Sequence, residues 1–184
     1  MYSIWLLPAE KESQRFQKII DTLSESFKTT AFEPHLTLYT NISKLTDKLF
    51  YKISVLAALT NTFDVSTDTL HISSDFYKAL YVGIRNNKAL QEIQQEIQNL
   101  FPDNNYEFQP HLSFLYGEFD EVLKKSKIES IKENLLNTFQ ANQIAIVQTK
   151  GDNKNWKVIE TFDFHQLENS HLEFVFDTVK NLKI

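Results

Sequence analysis

The chain has 184 residues with 3 glycines, no cysteine, 13% aromatic residues and a net charge of −5. That length suits one domain or two closely fused lobes, and the missing cysteines exclude disulfides, thiolate nucleophiles, iron–sulfur clusters and sulfur-ligated zinc, a pattern that suits a reducing compartment. Gly83, Gly117 and Gly151 stand 34 residues apart, which excludes a G-x-G-x-x-G turn, a P-loop and a serine elbow, while the acidic balance runs against gripping a long nucleic acid.

In chain order, Tyr2 to Leu7 is a β-rich run ended by Pro8. No basic segment precedes it, and Glu10-Lys11-Glu12 interrupts it, so no export signal is expected. Nothing approaches the about 20 apolar residues of a membrane span. A soluble, cytoplasmic monomer is the expectation. Phe16, Ile19, Ile20, Leu23 and Phe27 fall at helical spacing on one face. A strand around His35 to Tyr39 follows, then a second helix with Leu45, Leu49, Ile53, Leu56 and Leu59 as its stripe. Two β runs, Phe63 to Ile72 and Ala79 to Arg85, are suited to antiparallel pairing, and a third helix spans Lys88 to Phe101. The second half predicts a strand at His111 to Tyr116, a helix from Asp120 to Phe139, and strands at Gln143 to Thr149 and Trp156 to Phe164. From His171 onward the pattern fits a strand or a terminal helix equally. No linker or low-complexity stretch divides the chain, so residues 1–184 are read as one α+β domain with hairpin-ordered strands.

One feature stands out. Phe32-Glu33-Pro34-His35-Leu36-Thr37-Leu38 and Phe108-Gln109-Pro110-His111-Leu112-Ser113-Phe114 agree at four positions, substitute conservatively at three, and lie 76 residues apart. A strand after proline with alternating polarity puts His and the hydroxyl two residues later on the same face. A single His-x-Thr is weak and reads first as a satisfied core pair. Two copies, one per half, bring two imidazoles and two hydroxyls to one cleft if the halves pair.

Two imidazoles near neutrality can divide the roles of proton acceptor and donor. Two hydroxyls can donate to the non-bridging oxygens of a phosphate, as glycine-rich loops or metals do elsewhere. The layout fits in-line attack on a phosphodiester, and the ring-opening hydrolysis of a cyclic phosphate in particular, with no cofactor and no metal.

These residues resemble the two His-x-Thr/Ser motifs of the 2H phosphoesterase superfamily, and within it the cyclic phosphodiesterase family of plants and fungi. Tyr2-Ser3-Ile4-Trp5-Leu6-Leu7-Pro8 is similar to that family's opening strand. Pro34 to Leu38 resembles its first motif and Pro110 to Gly117, with the Tyr116-Gly117 ending, its second. The resemblance implies a bilobal α+β fold with two pseudo-symmetric lobes, each an antiparallel sheet with outer helices, around a central cleft. It also implies small cyclic-phosphate nucleotide substrates, such as ADP-ribose 1″,2″-cyclic phosphate or nucleoside 2′,3′-cyclic phosphates. His35 and His111 are implied as catalytic, with Thr37, Ser113 and Tyr116 on the phosphate. We take His111 as base on water and His35 as acid on the leaving oxygen, an order the two matching motifs do not force. Tyr116 lies five residues after His111, so it joins the site only if the strand ends or bulges before Gly117.

Other candidates rank lower. Trp5 and Tyr39 are read as core, His71 as a half-buried sheet residue, His165 and His171 as structural, and Lys150, Lys154 and Lys157 as a solvated turn. Two further functions stay open: cleavage of RNA ends or 2′-5′ oligonucleotides, and a nucleotide-binding module without turnover.

Overall fold

The structure, a computed structural model, describes residues 1–102 and 106–165. Its strands are β1 (Tyr2–Pro8), β2 (Leu36–Ile42), β3 (Phe63–Ile72), β4 (Leu80–Ile84), β5 (His111–Leu115), β6 (Thr138–Gln148) and β7 (Lys157–Asp163). Its helices are α1 (Glu10–Phe27), α2 (Asp47–Leu59), α3 (Lys88–Asn99), α4 (Glu121–Lys125) and α5 (Ile128–Lys132). The strands hydrogen-bond antiparallel in the order β2-β1-β6-β3-β4-β5, with β7 also on β6. β6 carries β1 along one edge, while β3 and β7 share the other.

The repeat seen in the sequence is a repeat of architecture. β1-α1-β2 and β4-α3-β5 are each two antiparallel neighbours joined through a helix, and each ends on a motif strand. β2 and β5 terminate the strand path, and the sheet curls until they approach each other. Packing crosses between the halves, because α1 lies against β5 as well as β1, and α3 lies against β2. Alternation then sorts the side chains: Ile4, Leu6, Leu38, Val82, Leu112 and Phe114 join Phe16 and Ile20 in the helix-covered core. Trp5 and Leu7 pack on the other face with Ala145 and Val147.

The predicted helix over Asp120 to Phe139 is corrected to α4 and α5, followed by the start of β6. Val122 and Leu123 are 73% and 56% exposed, so the segment's first apolar residues are not buried, while Ile131 is. Ser126, Ser130 and Asn134 side chains donate to carbonyls three or four residues back, a local pattern that disfavours regular helix. The sheet claims the remainder: Phe139 pairs with Val65, and Thr67 bonds the carbonyls of Leu136 and Asn137. The ambiguous tail after His171 lies outside the described residues. No helix among the described residues is long and apolar enough to cross a membrane.

Candidate active site

Extended backbone after Pro34 delivers His35 to the start of β2. The imidazole stacks on Trp5 with ring centroids 3.6 Å apart and planes within 9°. Its Nδ1 lies 2.6 Å from the Glu33 carbonyl. A carbonyl can only accept, so Nδ1 carries the proton and, in the neutral ring, Nε2 presents a lone pair. Register on β1 puts Trp5 opposite Thr37, and both line the same cleft of about 450 Å³. The Thr37 hydroxyl has no protein partner among the described residues and is available to a ligand.

The second motif repeats the arrangement on β5. His111 Nδ1 donates to the Gln109 carbonyl at 2.6 Å, and His111 lines the cleft with His35. Gly83 pairs with His111 on β4, and the Tyr81 ring meets the imidazole edge-on at 5.4 Å. The hydroxyls differ. Ser113, 5% exposed, donates to the Tyr77 carbonyl at 2.8 Å and is not among the residues lining the cleft.

Tyr116 meets the condition set by its spacing. β5 ends at Leu115, and Gly117 turns at φ +132°, where an added Cβ would stand 2.4 Å from Phe119 Cε2. Freed from strand alternation, Tyr116 stacks on Phe32 at 3.7 Å, and its hydroxyl reaches His35 Nε2 at 3.4 Å. The first residue of one heptapeptide thus packs against the residue two positions beyond the other.

Burial governs the electrostatics. It lowers His35 from 6.5 to about 4, an effect partly offset by the bond to the Glu33 carbonyl and reinforced by the charge of His111. It lowers His111 as well, with Lys78 adding to the shift and the Gln109 carbonyl and Asp75 opposing it. Burial raises Tyr116, with Tyr77 adding to the rise, so the phenol keeps its proton and stays a donor.

Several cleft residues carried no sequence signal. Trp156 is within 6.4 Å of His35 and 5.9 Å of Tyr77, ring to ring. Tyr77 and Lys78 arrive on a 3₁₀ turn, Phe76–Lys78. Ser3, Thr40 and Thr149 form a hydroxyl cluster at 2.8 and 3.0 Å, built from three strand ends that only the sheet brings together. Trp5, read as core, is buried yet forms cleft wall, whereas Tyr39 stacks on Phe101 inside the core. His71 is exposed and bonds Thr69, and His165 is also exposed; neither lines the cleft, nor do Lys150, Lys154 and Lys157. His171 lies outside the described residues.

Comparison with known proteins points the same way. Residues 1–164 match the model of the family described as cyclic phosphodiesterase-like protein. A cyclic phosphodiesterase of Arabidopsis thaliana is 29% identical over 173 residues, covering 88% of this chain and 92% of the relative. Among solved structures, Escherichia coli LigT complexed with 3′-AMP shares 12% identity with a TM-score of 0.57, over 90% of this chain and 98% of that one. The protein TT0787 of Thermus thermophilus shares 11% identity with a TM-score of 0.56 over the same proportions, 90% and 98%. Both show the fold. With His35, Thr37 and His111 lining one cleft and a family match over residues 1–164, the chain belongs to the cyclic phosphodiesterase-like family, a family of enzymes.

Proposed function

We propose that the protein hydrolyses a small cyclic phosphate, ADP-ribose 1″,2″-cyclic phosphate or a nucleoside 2′,3′-cyclic phosphate, to a phosphomonoester without a metal. One observation carries this reading: two imidazoles, each fixed through Nδ1 to the carbonyl two residues back, line one cleft. The Arabidopsis relative is named a cyclic phosphodiesterase, and LigT has been solved with 3′-AMP, a nucleoside monophosphate of the product class.

His35, neutral at pH 7 with its Nε2 lone pair engaged only by the long 3.4 Å contact from the Tyr116 hydroxyl, suits the base that takes the proton from water as its oxygen attacks phosphorus. His111, less deeply buried, suits the acid that protonates the leaving ribose oxygen as the P–O bond breaks. This order reverses the one taken from the sequence, and the reason is burial of His35 against Trp5. Thr37 and Tyr116 hydroxyls donate to the non-bridging oxygens, whereas Ser113, expected on the phosphate, is bonded to the Tyr77 carbonyl and holds the turn beside the cleft. Tyr77 and Trp156, ring planes 28° apart, offer faces on which a base can stack.

A panel of cyclic phosphates followed by phosphorus NMR in excess EDTA tests the reading. The expected result is a phosphomonoester, with His35→Ala and His111→Ala each losing about 10²–10⁴-fold. Abolition by the chelator, or near-full activity in either variant, would remove the mechanism. Faster turnover of an oligonucleotide than of a cyclic mononucleotide would favour the RNA-cleaving alternative.

A further inference from the structure

Among the described residues that line the cleft, Lys78 supplies the only lysine or arginine side chain. Its position is built rather than incidental. The turn that carries it is tied from beneath at three points: Gly117 N–H donates to the Phe76 carbonyl at 2.8 Å, Ser113 Oγ to the Tyr77 carbonyl at 2.8 Å, and Lys124 Nζ to the Ser73 carbonyl at 2.6 Å. Lys124 is itself 5% exposed, a buried ammonium bonded to the backbone where the turn begins. Ser73 Oγ closes the loop by donating to the Lys78 carbonyl at 2.8 Å.

The ammonium of Lys78 lies 3.3 Å from Gln109 Oε1 and 3.6 Å from Asp75 Oδ2, with its side chain 25% exposed. Both contacts are long for charge-assisted bonds, and an ammonium has three donors. Gln109 is also the residue whose carbonyl orients His111, so Lys78 belongs to the second motif's side of the cleft. Lys78 bonds neither imidazole and stands next to Tyr77, whose ring adjoins Trp156. Its charge acts on His111 without a bond to the ring, which leaves the ammonium to a group beside the phosphate between the histidines.

We propose that Lys78 recognises a second phosphate of the substrate, outside the cyclic ester, and so selects phosphorylated cyclic nucleotides over unsubstituted ones. This rests on the cyclic-phosphate reading above. A phosphate monoester carries up to two negative charges and three acceptor oxygens, enough to outcompete the single Asp75 carboxylate at 3.6 Å. Asp75, with Glu107 behind Gln109, offsets the Lys78 charge, so a singly charged or uncharged substituent gains little there.

The test compares adenosine 2′,3′-cyclic phosphate with its 5′-phosphorylated form. The wild type should prefer the 5′-phosphorylated substrate in kcat/KM, and Lys78→Gln should reduce that preference about tenfold, mainly through KM. Lys78→Arg should keep most of it, Asp75→Asn should increase it, and added salt should weaken it. The same preference in the wild type and Lys78→Gln would overturn the proposal, as would an equal kcat loss on both substrates. If the wild type turns over neither substrate, the cyclic-phosphate reading has failed, and calorimetry decides on Lys78 alone. In that arm, adenosine 3′,5′-bisphosphate should bind more tightly than adenosine 3′-phosphate to the wild type, and Lys78→Gln should lose the difference. Equal binding of the two ligands by the wild type would overturn the assignment.

Discussion

An imidazole stacked on Trp5 at 3.6 Å and 6% exposed has given up most of the water that would solvate its cation. A folded-state value of about 4 against 6.5 corresponds to about 3 kcal/mol between protonation states. Linkage fixes the sign. Unfolded, His35 binds its proton near pH 6.5; folded, it resists protonation until about 4. Stability is therefore full above pH 6.5 and is lost as pH falls toward 4, with His111 acting in the same direction. Denaturant midpoints measured from pH 7 to pH 4 should fall, and His35→Gln should flatten part of that fall. The acid limb of kcat/KM should lie well below pH 6.5, because the free enzyme keeps its base neutral there. An acid limb at or above 6.5 would contradict His35 as the base.

At the scale of elements, the end of β5 decides whether Tyr116 reaches the site. Gly117→Ala meets two obstacles, a φ of +132° that side chains rarely adopt and a Cβ 2.4 Å from the Phe119 ring. Phe119 packs on Phe27 at 4.7 Å, so moving it aside disturbs α1. The expected cost is about 2–4 kcal/mol in a denaturant midpoint, with kcat/KM falling further as Tyr116 shifts. Gly117→Ala combined with Phe119→Leu should recover the part due to the clash and leave the backbone strain. Full recovery would mean that φ is not the constraint. The same region shows what was legible. His-x-Thr and His-x-Ser were readable because a strand's period of two needs no tertiary knowledge, whereas Tyr116 came from the family resemblance alone and depended on where the strand ended. Lys78, Tyr77 and Trp156 were not readable, because a short turn and a strand edge have no periodicity and reach the cleft only through the sheet order. The residues from Asp120 to Phe139 misled because apolar spacing cannot report that Phe139 pairs with Val65.

On the scale of the whole molecule, the doubled β-α-β plan was legible but the exchange of helices between halves was not, since nothing in α1 says that its face meets β5. That exchange makes the cleft depend on both halves at once. Phe16 of α1 packs against Phe114 of β5 at 6.0 Å and Phe139 of β6 at 5.3 Å, and β6 pairs with β1 and β3. The halves should unfold together, and a single tryptophan provides the probe. Trp156 touches Tyr77 and Tyr116 as well as Trp5, so a Trp156→Phe background leaves Trp5 on β1 as the fluorescent reporter of the first half, while far-UV circular dichroism reports all elements. Leu112 sits on β5 in the second half, fully buried and facing the common core. Leu112→Ala should cost about 2–5 kcal/mol. In a molecule with crossed packing, the fluorescence and dichroism midpoints move together by that amount. In a molecule whose halves are independent, dichroism moves and tryptophan fluorescence stays where it was. That separation would remove the cross-packing as the reason His35 and His111 keep their places on one cleft.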